Sequence, residues 1–224
     1  MMAYKISLSP EDRDTNTYHP AALYDGRPAN EHEQMVRLAD MLQVELERCG
    51  FQVANMQYGN MKDRVADANK WGADLYIALH TNAYNTKVQG TRVHCYPSDK
   101  SRRIAQLIQD RIAPLSPGTV GEGVKETTRL YELRATTMTA VLPEYEFHDN
   151  LESAQWIIDN LQTIAVETAK AVCEFFNVPY VEEQSDKYIY RVQLGAFCNY
   201  EYATAFLADV QKTYPEAFIK KEAM

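Results

Sequence analysis

Short apolar segments alternate with amphipathic segments along residues 3–178, and this alternation constrains the fold more than any other feature of the chain. The segments that we predict as strands are residues 3–8, 51–54, 74–79 and 89–96, with 130–133 and 140–144 as further candidates. The segments that we predict as helices are residues 30–49, 61–71, 100–112 and 151–176. Strands that alternate with helices indicate an α/β domain with a largely parallel sheet.

The helix at residues 30–49 carries the clearest local signals. Its apolar residues recur every three or four positions, so they form one stripe that can face a core. Asn30 is a favourable N-cap, Glu33 completes most of a capping box, and Gly50 is suited to end the helix. The preceding segment, residues 9–28, has no apolar periodicity and is predicted as a long loop, which in a compact domain is usually functional or mobile.

The C-terminal part of the chain differs from the first 178 residues. Residues 179–187 are polar, contain a proline and are predicted as a linker. The segment 188–224 is predicted as a small βαβ unit, with strands at 188–194 and 217–220 around a helix at 200–212. A unit of this size rarely has a stable core alone. We therefore expect it to dock on the main domain or to pair with a second copy as a homodimer.

Composition limits the classes of partner. The net charge of −8 argues against a nonspecific nucleic-acid binder, which needs a basic surface. No apolar run reaches the roughly 20 residues of a membrane-spanning helix, so no membrane partner is expected. The N-terminus shows no apolar segment typical of a secretory signal. These features predict a protein made in the cytoplasm.

Three ionisable residues lie near predicted element ends, where α/β proteins commonly place their chemistry. His80 follows an apolar strand and suits a metal ligand or an acid–base group, although a strand-capping core histidine is an equal alternative. Glu31 opens the long helix, where the helix dipole favours a glutamate whatever the function. Glu144 follows an apolar strand and is a candidate general base, with pairing to Arg129 or Arg134 as the structural alternative. Glu146 and Asp149 are competing candidates for the same role.

The order of three motifs resembles the zinc-dependent N-acetylmuramoyl-L-alanine amidases of the Amidase_3 type. The motifs are Asn-Glu at the start of a long helix, a strand with His-x-Asn-Ala, and a strand with Glu-x-x-Phe. The matching residues are Asn30-Glu31, Leu79-His80-Thr81-Asn82-Ala83 and Glu144-Tyr145-Glu146-Phe147. The resemblance covers residues 3–178 and implies a three-layer α/β/α fold with a six-stranded mixed sheet. The activity it implies is hydrolysis of the amide between N-acetylmuramic acid and L-alanine in bacterial peptidoglycan.

The resemblance also implies roles for individual residues. Glu31 and His80 are expected to ligate zinc (Zn2+) and Glu144 to act as the catalytic base. Asn82 is expected to lie beside the metal site and to bind substrate. The family usually has a first histidine after the first strand, and Asp12 stands at that position here.

Three interpretations of the third ligand remain open. His19 completes the site, Asp12 ligates directly, or the site binds metal weakly or not at all; we favour His19 because imidazole is a good zinc ligand. His148, close to Glu144 in sequence, is a fourth possibility for the ligand, although we favour contact with substrate or with a ligand residue.

The C-terminal segment is similar to the first half of a sporulation-related (SPOR) repeat, a family that binds peptidoglycan. The residues that carry this similarity are Tyr190-Arg191-Val192-Gln193-Leu194-Gly195-Ala196-Phe197, followed by a helix and Ala217-Phe218-Ile219. A complete repeat has two such halves, so glycan binding here requires two chains to combine theirs. A docked strand–helix–strand extension is the alternative.

Together these features predict a zinc amidase that acts on the bacterial cell wall, in the setting of a phage or prophage lysin. One alternative is a wall-binding protein whose metal site has decayed at Asp12. A second alternative is a zinc peptidase that cuts within the peptidoglycan stem, because the same chemistry serves both bonds.

Overall fold

The computed structural model describes residues 3–118, 123–183 and 195–220 of the 224-residue chain. The chain divides into two compact units, Met1–Glu182 and Glu183–Met224. The first residues of the predicted linker belong with the first unit, since the Val181 backbone N–H lies 3.3 Å from Cys49 Sγ and Tyr180 packs against the main core.

The first unit contains eight strands and six helices within its described residues. The strands are β1 Lys5–Pro10, β2 Leu23–Tyr24, β3 Arg27–Pro28, β4 Gln52–Asn55, β5 Leu75–Asn82, β6 Arg92–Cys95, β7 Gly123–Glu126 and β8 Thr139–Phe147. The helices are α1 Glu31–Arg48, α2 Met61–Trp71, α3 Asp99–Ile112, α4 Tyr131–Arg134, α5 Leu151–Asp159 and α6 Leu161–Phe176. Asn30 caps α1 as predicted, because its side chain accepts a hydrogen bond from the Glu33 backbone N–H.

A six-stranded mixed sheet in the order β4-β1-β5-β8-β6-β7 forms the centre of this unit. All neighbouring strands are parallel except β8 and β6, which are antiparallel. Residues of α1, α3, α5 and α6 form the larger apolar core on one face, and residues of α2 and α4 form a smaller core on the other. The predicted three-layer α/β/α fold with a six-stranded mixed sheet is thus confirmed.

Strand alternation decides which face each side chain occupies. In β5, Ile77 and Leu79 lie in the larger core, whereas Tyr76 and Ala78 lie in the smaller one. His80 therefore continues the row of Tyr76 and Ala78, on the face that α2 and α4 cover.

Several local predictions differ from the structure. Residues 130–133, a candidate strand, contribute to the helical turn α4, closed by hydrogen bonds from Arg134 N to Leu130 O and from Ala135 N to Tyr131 O. The helix predicted at 151–176 is two helices, interrupted where the Asn160 side chain donates to the Trp156 carbonyl in competition with the helical backbone. Strand β7 was not predicted, since a Gly/Pro-rich segment precedes it.

The described part of the second unit contains one helix, α7 Tyr200–Val210, which Asn199 caps. Residues 217–220, predicted as a strand, pair with no strand among the described residues. The other predicted strand, 188–194, lies outside the described residues. The βαβ arrangement of this unit therefore stays a prediction. None of the described helices combines the length and the hydropathy needed to span a membrane.

Candidate metal and catalytic site

Three neighbouring strands bring ionisable side chains to one edge of the sheet. The register pairs Ser9 of β1 with Ala78 of β5, and the Glu11 backbone N–H donates to the Leu79 carbonyl, so Glu11 lies beside His80. His80 is in turn paired with Glu144 of β8. Since adjacent strands lie about 4.8 Å apart, Glu11, His80 and Glu144 form a row at the carboxyl ends of three parallel strands.

Glu11, Glu31 and His80 form a cluster that can hold a metal ion, with their ligand atoms all within 4.8 Å of one another. His80 Nδ1 lies 3.1 Å from Glu11 Oε2 and 3.4 Å from Glu31 Oε1. Two donor atoms about 2.1 Å from a tetrahedral zinc ion lie about 3.4 Å apart, and carboxylate and imidazole are both accepted zinc ligands. The spacing and the donor types therefore fit zinc.

Further contacts fix each member of the cluster. Arg13 donates to Glu11 Oε1 from both its backbone N–H and its Nε, each at 2.9 Å. Glu31 accepts from the Thr81 backbone N–H and from Asn16 Nδ2, both at 2.8 Å. On the opposite side of the ring, His80 Nε2 lies 3.3 Å from Glu132 Oε2. Each of the three side chains is therefore held by a neighbour outside the cluster.

The charges of the cluster stabilise one another. Burial alone lowers the pKa of His80, but hydrogen bonds with Glu11, Glu132 and Glu31 raise it well above its usual value. Burial alone raises the pKa of Glu11 and of Glu132, whereas their interactions with His80 lower both values overall. In the metal-free chain His80 therefore carries the positive charge that these carboxylates balance, and a divalent cation can replace that charge.

Glu144 has a different environment. Burial raises its pKa to about 7, although the positive charge of His80 opposes the increase. Within the described part of the chain no group hydrogen bonds to its carboxyl, and neither Arg129 nor Arg134 pairs with it. A partly exposed carboxyl group with a pKa near neutrality is suited to exchange protons during catalysis.

Comparison with known proteins identifies the family of the chain. The profile of the N-acetylmuramoyl-L-alanine amidase family (Amidase_3) matches residues 17–174. This chain belongs to that family. Its sequence is 27% identical over 143 residues to the sporulation-specific N-acetylmuramoyl-L-alanine amidase of Bacillus subtilis (strain 168), which covers 63% of this chain and 54% of the relative. It is 28% identical over 142 residues to amidase CwlM of Bacillus licheniformis, covering 62% and 53%. The chain thus spans about half the length of these relatives.

Solved structures of cell-wall enzymes share the fold. The catalytic domain of the CD27L endolysin targeting Clostridia difficile has a TM-score of 0.65 at 24% identity, over 78% of this chain and 98% of that one. The catalytic domain of amidase CwlV from Bacillus (Paenibacillus) polymyxa var. colistinus has a TM-score of 0.66 at 19% identity, over 80% and 100%.

The family match begins after Glu11, so the comparison leaves the third ligand position to the structure. Asp12 Oδ2 accepts from the Met61 backbone N–H at the start of α2, and it is not part of the cluster. His19 lies on the rim of a surface groove with Asn150, and its Nδ1 accepts from the Ala21 N–H. The β1–β5 register places Glu11 beside His80, and the cluster contains Glu11 but neither His19 nor Asp12. Ligation by His19 or Asp12 stays a prediction.

The two residues predicted near the substrate occupy different positions. His148 is buried, with Nδ1 2.9 Å from Thr81 Oγ1 and its ring stacked on Tyr18 at 5.1 Å, so it packs behind the site. Asn82 is partly exposed, and its Oδ1 accepts from the Ala83 backbone N–H. Substrate contact by either residue stays a prediction.

Glu11 and Glu132 were not predicted from the sequence as residues near the site. In β1 the side chains of Ser7 and Ser9 lie opposite the larger core, and Glu11 continues this series of alternate residues. This alternation was the available signal for Glu11. Glu132 carried no such signal, since a helical turn cannot be distinguished from a short strand by apolar pattern alone.

Proposed function

We propose that this chain is a zinc-dependent N-acetylmuramoyl-L-alanine amidase that cleaves the amide between N-acetylmuramic acid and L-alanine in bacterial peptidoglycan. The observation that carries the proposal is the convergence of Glu11, Glu31 and His80 beside Glu144 at one sheet edge. Membership in the amidase family supports the choice of bond.

In the proposed mechanism Glu11, Glu31 and His80 would hold the metal beside Glu144. A bound zinc ion supplies positive charge that polarises an amide carbonyl and acidifies water. Glu144 accepts a proton from the attacking water and donates it to the nitrogen of the departing L-alanine. Its raised pKa suits both transfers, because a catalytic group works best when its pKa lies near the working pH.

The cell wall is the proposed place of action, and a phage or prophage lysin is the proposed setting. The shared fold with the catalytic domain of an endolysin supports this setting. We retain the SPOR-like character of the C-terminal unit as a prediction, in which two chains combine their halves to bind glycan.

The decisive experiment identifies the new chemical ends in digests of purified peptidoglycan. An amidase releases stem peptides with a free L-alanine amine and leaves the glycan strands intact. A new amine elsewhere in the stem indicates the peptidase alternative, and no new ends with the zinc-loaded chain would contradict an enzymatic function.

Zinc binding by variants tests the proposed ligands, with substitutions of Asp12 and His19 as controls. We expect Glu11→Gln and His80→Ala to lose zinc that the parent binds at about one ion per chain, because each removes a ligand atom. Asp12→Asn and His19→Ala should retain it, since both residues lie outside the cluster. Metal analysis after dialysis measures the stoichiometry. If His19→Ala loses zinc and Glu11→Gln keeps it, the ligand assignment is wrong.

A further inference from the structure

We propose that Glu132 is a positioning residue for the metal: it holds His80 in the orientation and tautomer that direct Nδ1 toward Glu11 and Glu31. This inference rests on the proposed metal site and assigns a function to a residue outside the ligand cluster. Its basis is the placement of two carboxylates on opposite sides of one imidazole ring.

The two ring nitrogens of His80 have distinct partners. Nδ1 faces Glu11 Oε2 at 3.1 Å, within the cluster, whereas Nε2 faces Glu132 Oε2 at 3.3 Å. A neutral imidazole has one N–H and one lone pair, and only the lone pair binds a metal. A proton donated from Nε2 to Glu132 therefore leaves the Nδ1 lone pair available on the side of Glu11 and Glu31.

Glu132 is itself held in place. Its Oε1 accepts from Tyr76 OH at 2.7 Å and from Ser9 Oγ at 2.9 Å, which leaves Oε2 for the His80 ring. The residue is 4% exposed, so water does not compete for these bonds. Tyr76 and His80 lie on the same face of β5, and α4 carries Glu132 across that face. The carboxylate is thus a fixed acceptor for one ring nitrogen.

A buried carboxylate on the outer nitrogen has two effects on metal binding. It stabilises the tautomer with a free Nδ1, and its negative charge makes the imidazole a stronger donor. Loss of such a partner typically weakens metal affinity about 10- to 100-fold. If Glu132 only linked β1, β5 and α4, its substitution would lower stability without changing the tautomer of His80.

The test compares Glu132→Gln with Tyr76→Phe in the full chain. Both variants alter the same buried network, but Tyr76→Phe leaves the contact between Glu132 and His80 unchanged. Zinc dissociation constants come from competition with a chelating dye, and long-range proton–nitrogen NMR reports the His80 tautomer in the zinc-loaded protein. We expect Glu132→Gln to raise the zinc dissociation constant about 10- to 100-fold and Tyr76→Phe to change it less than about threefold.

The outcomes separate this inference from the proposed function. If the parent binds zinc with an Nε2–H tautomer at His80 and Glu132→Gln matches it in affinity and tautomer, the positioning role is refuted and the metal site stands. Equal weakening by both variants also refutes it, because it indicates a structural link. If the parent binds no zinc, the metal site and the positioning role both fail.

Discussion

Two glutamates on β8, Glu144 and Glu146, lie two residues apart and have opposite environments. Among the described residues nothing hydrogen bonds to the Glu144 carboxyl, and burial raises its pKa to about 7. The Glu146 carboxyl is fully buried and accepts from the Gly90 and Gly118 backbone N–H groups and from Ser153 Oγ, at 2.7, 3.0 and 2.9 Å. One carboxyl is left free to exchange protons, and the other fastens three segments of the chain.

The backbone explains why these neighbours diverge. Alternate residues of a regular strand share a face, but Glu146 has φ of 66°, in the left-handed region that non-glycine residues rarely adopt. The register between β5 and β8 also shifts between the pairs His80–Glu144 and Asn82–Phe147. This bulge directs Glu146 toward the loop segments at Gly90 and Gly118, away from the row that contains Glu144. Residue type alone therefore does not assign a catalytic role.

The largest expected effect is on activity. Glu144→Gln should lower kcat by about 10²- to 10⁴-fold, because the amide cannot accept the proton of the attacking water. Release of stem peptide from purified peptidoglycan measures the rate, and bound zinc should remain at the parental level. Glu146→Gln is the matched control and should keep kcat within about tenfold, since Glu146 lies outside the site. Parental activity in Glu144→Gln would exclude Glu144 as the base.

The second effect is on stability, and here the substitution of Glu146 rather than of Glu144 is expected to be harmful. Glu146→Gln should lower the free energy of unfolding by ~2–4 kcal/mol, because an amide NH₂ replaces an acceptor among buried donors. Urea denaturation followed by circular dichroism measures the change. The comparison between the two glutamates fails if Glu146→Gln is as stable as the parent.

The third effect is the pH dependence of activity. The proton acceptor is the Glu144 carboxylate, so kcat/KM should decrease as the pH falls below the pKa of about 7. The positive charge of a bound metal lowers that pKa, so the midpoint should lie at or below this value. Measurement between about pH 5 and 8 on zinc-loaded chain gives the profile, and a flat profile over this range would contradict the role of Glu144.

The smallest effect is on the stability of the metal-free chain. The folded-state pKa of Glu144 is raised from 4.5 to about 7, so its stabilising contribution is present at low pH and is lost as the pH rises through about 7. Glu144→Gln carries no such charge and should be more stable than the parent by ~1–2 kcal/mol at about pH 8, with the difference vanishing near pH 4.5. Urea titrations at both pH values measure this, and an unchanged difference would show that Glu144 is not desolvated.

Much of the fold could be predicted from sequence because its signals are local. Apolar spacing and capping residues place α1 within a residue at each end, and α2 spans Met61–Trp71 as predicted. A short apolar run identifies β5 and ends at His80. Short elements were the failures, since the four residues of α4 contain too little periodicity to distinguish a helical turn from a strand.

The sequence by itself determined the layered α/β architecture, the order of the motifs and the three residues Glu31, His80 and Glu144 as candidates for chemistry. Only the tertiary structure decided which carboxylates meet His80. The register of β1 with β5 places Glu11 beside His80, and the position of α4 over the sheet places Glu132 there. Strand register and helix placement depend on packing between distant segments, so no local pattern records them.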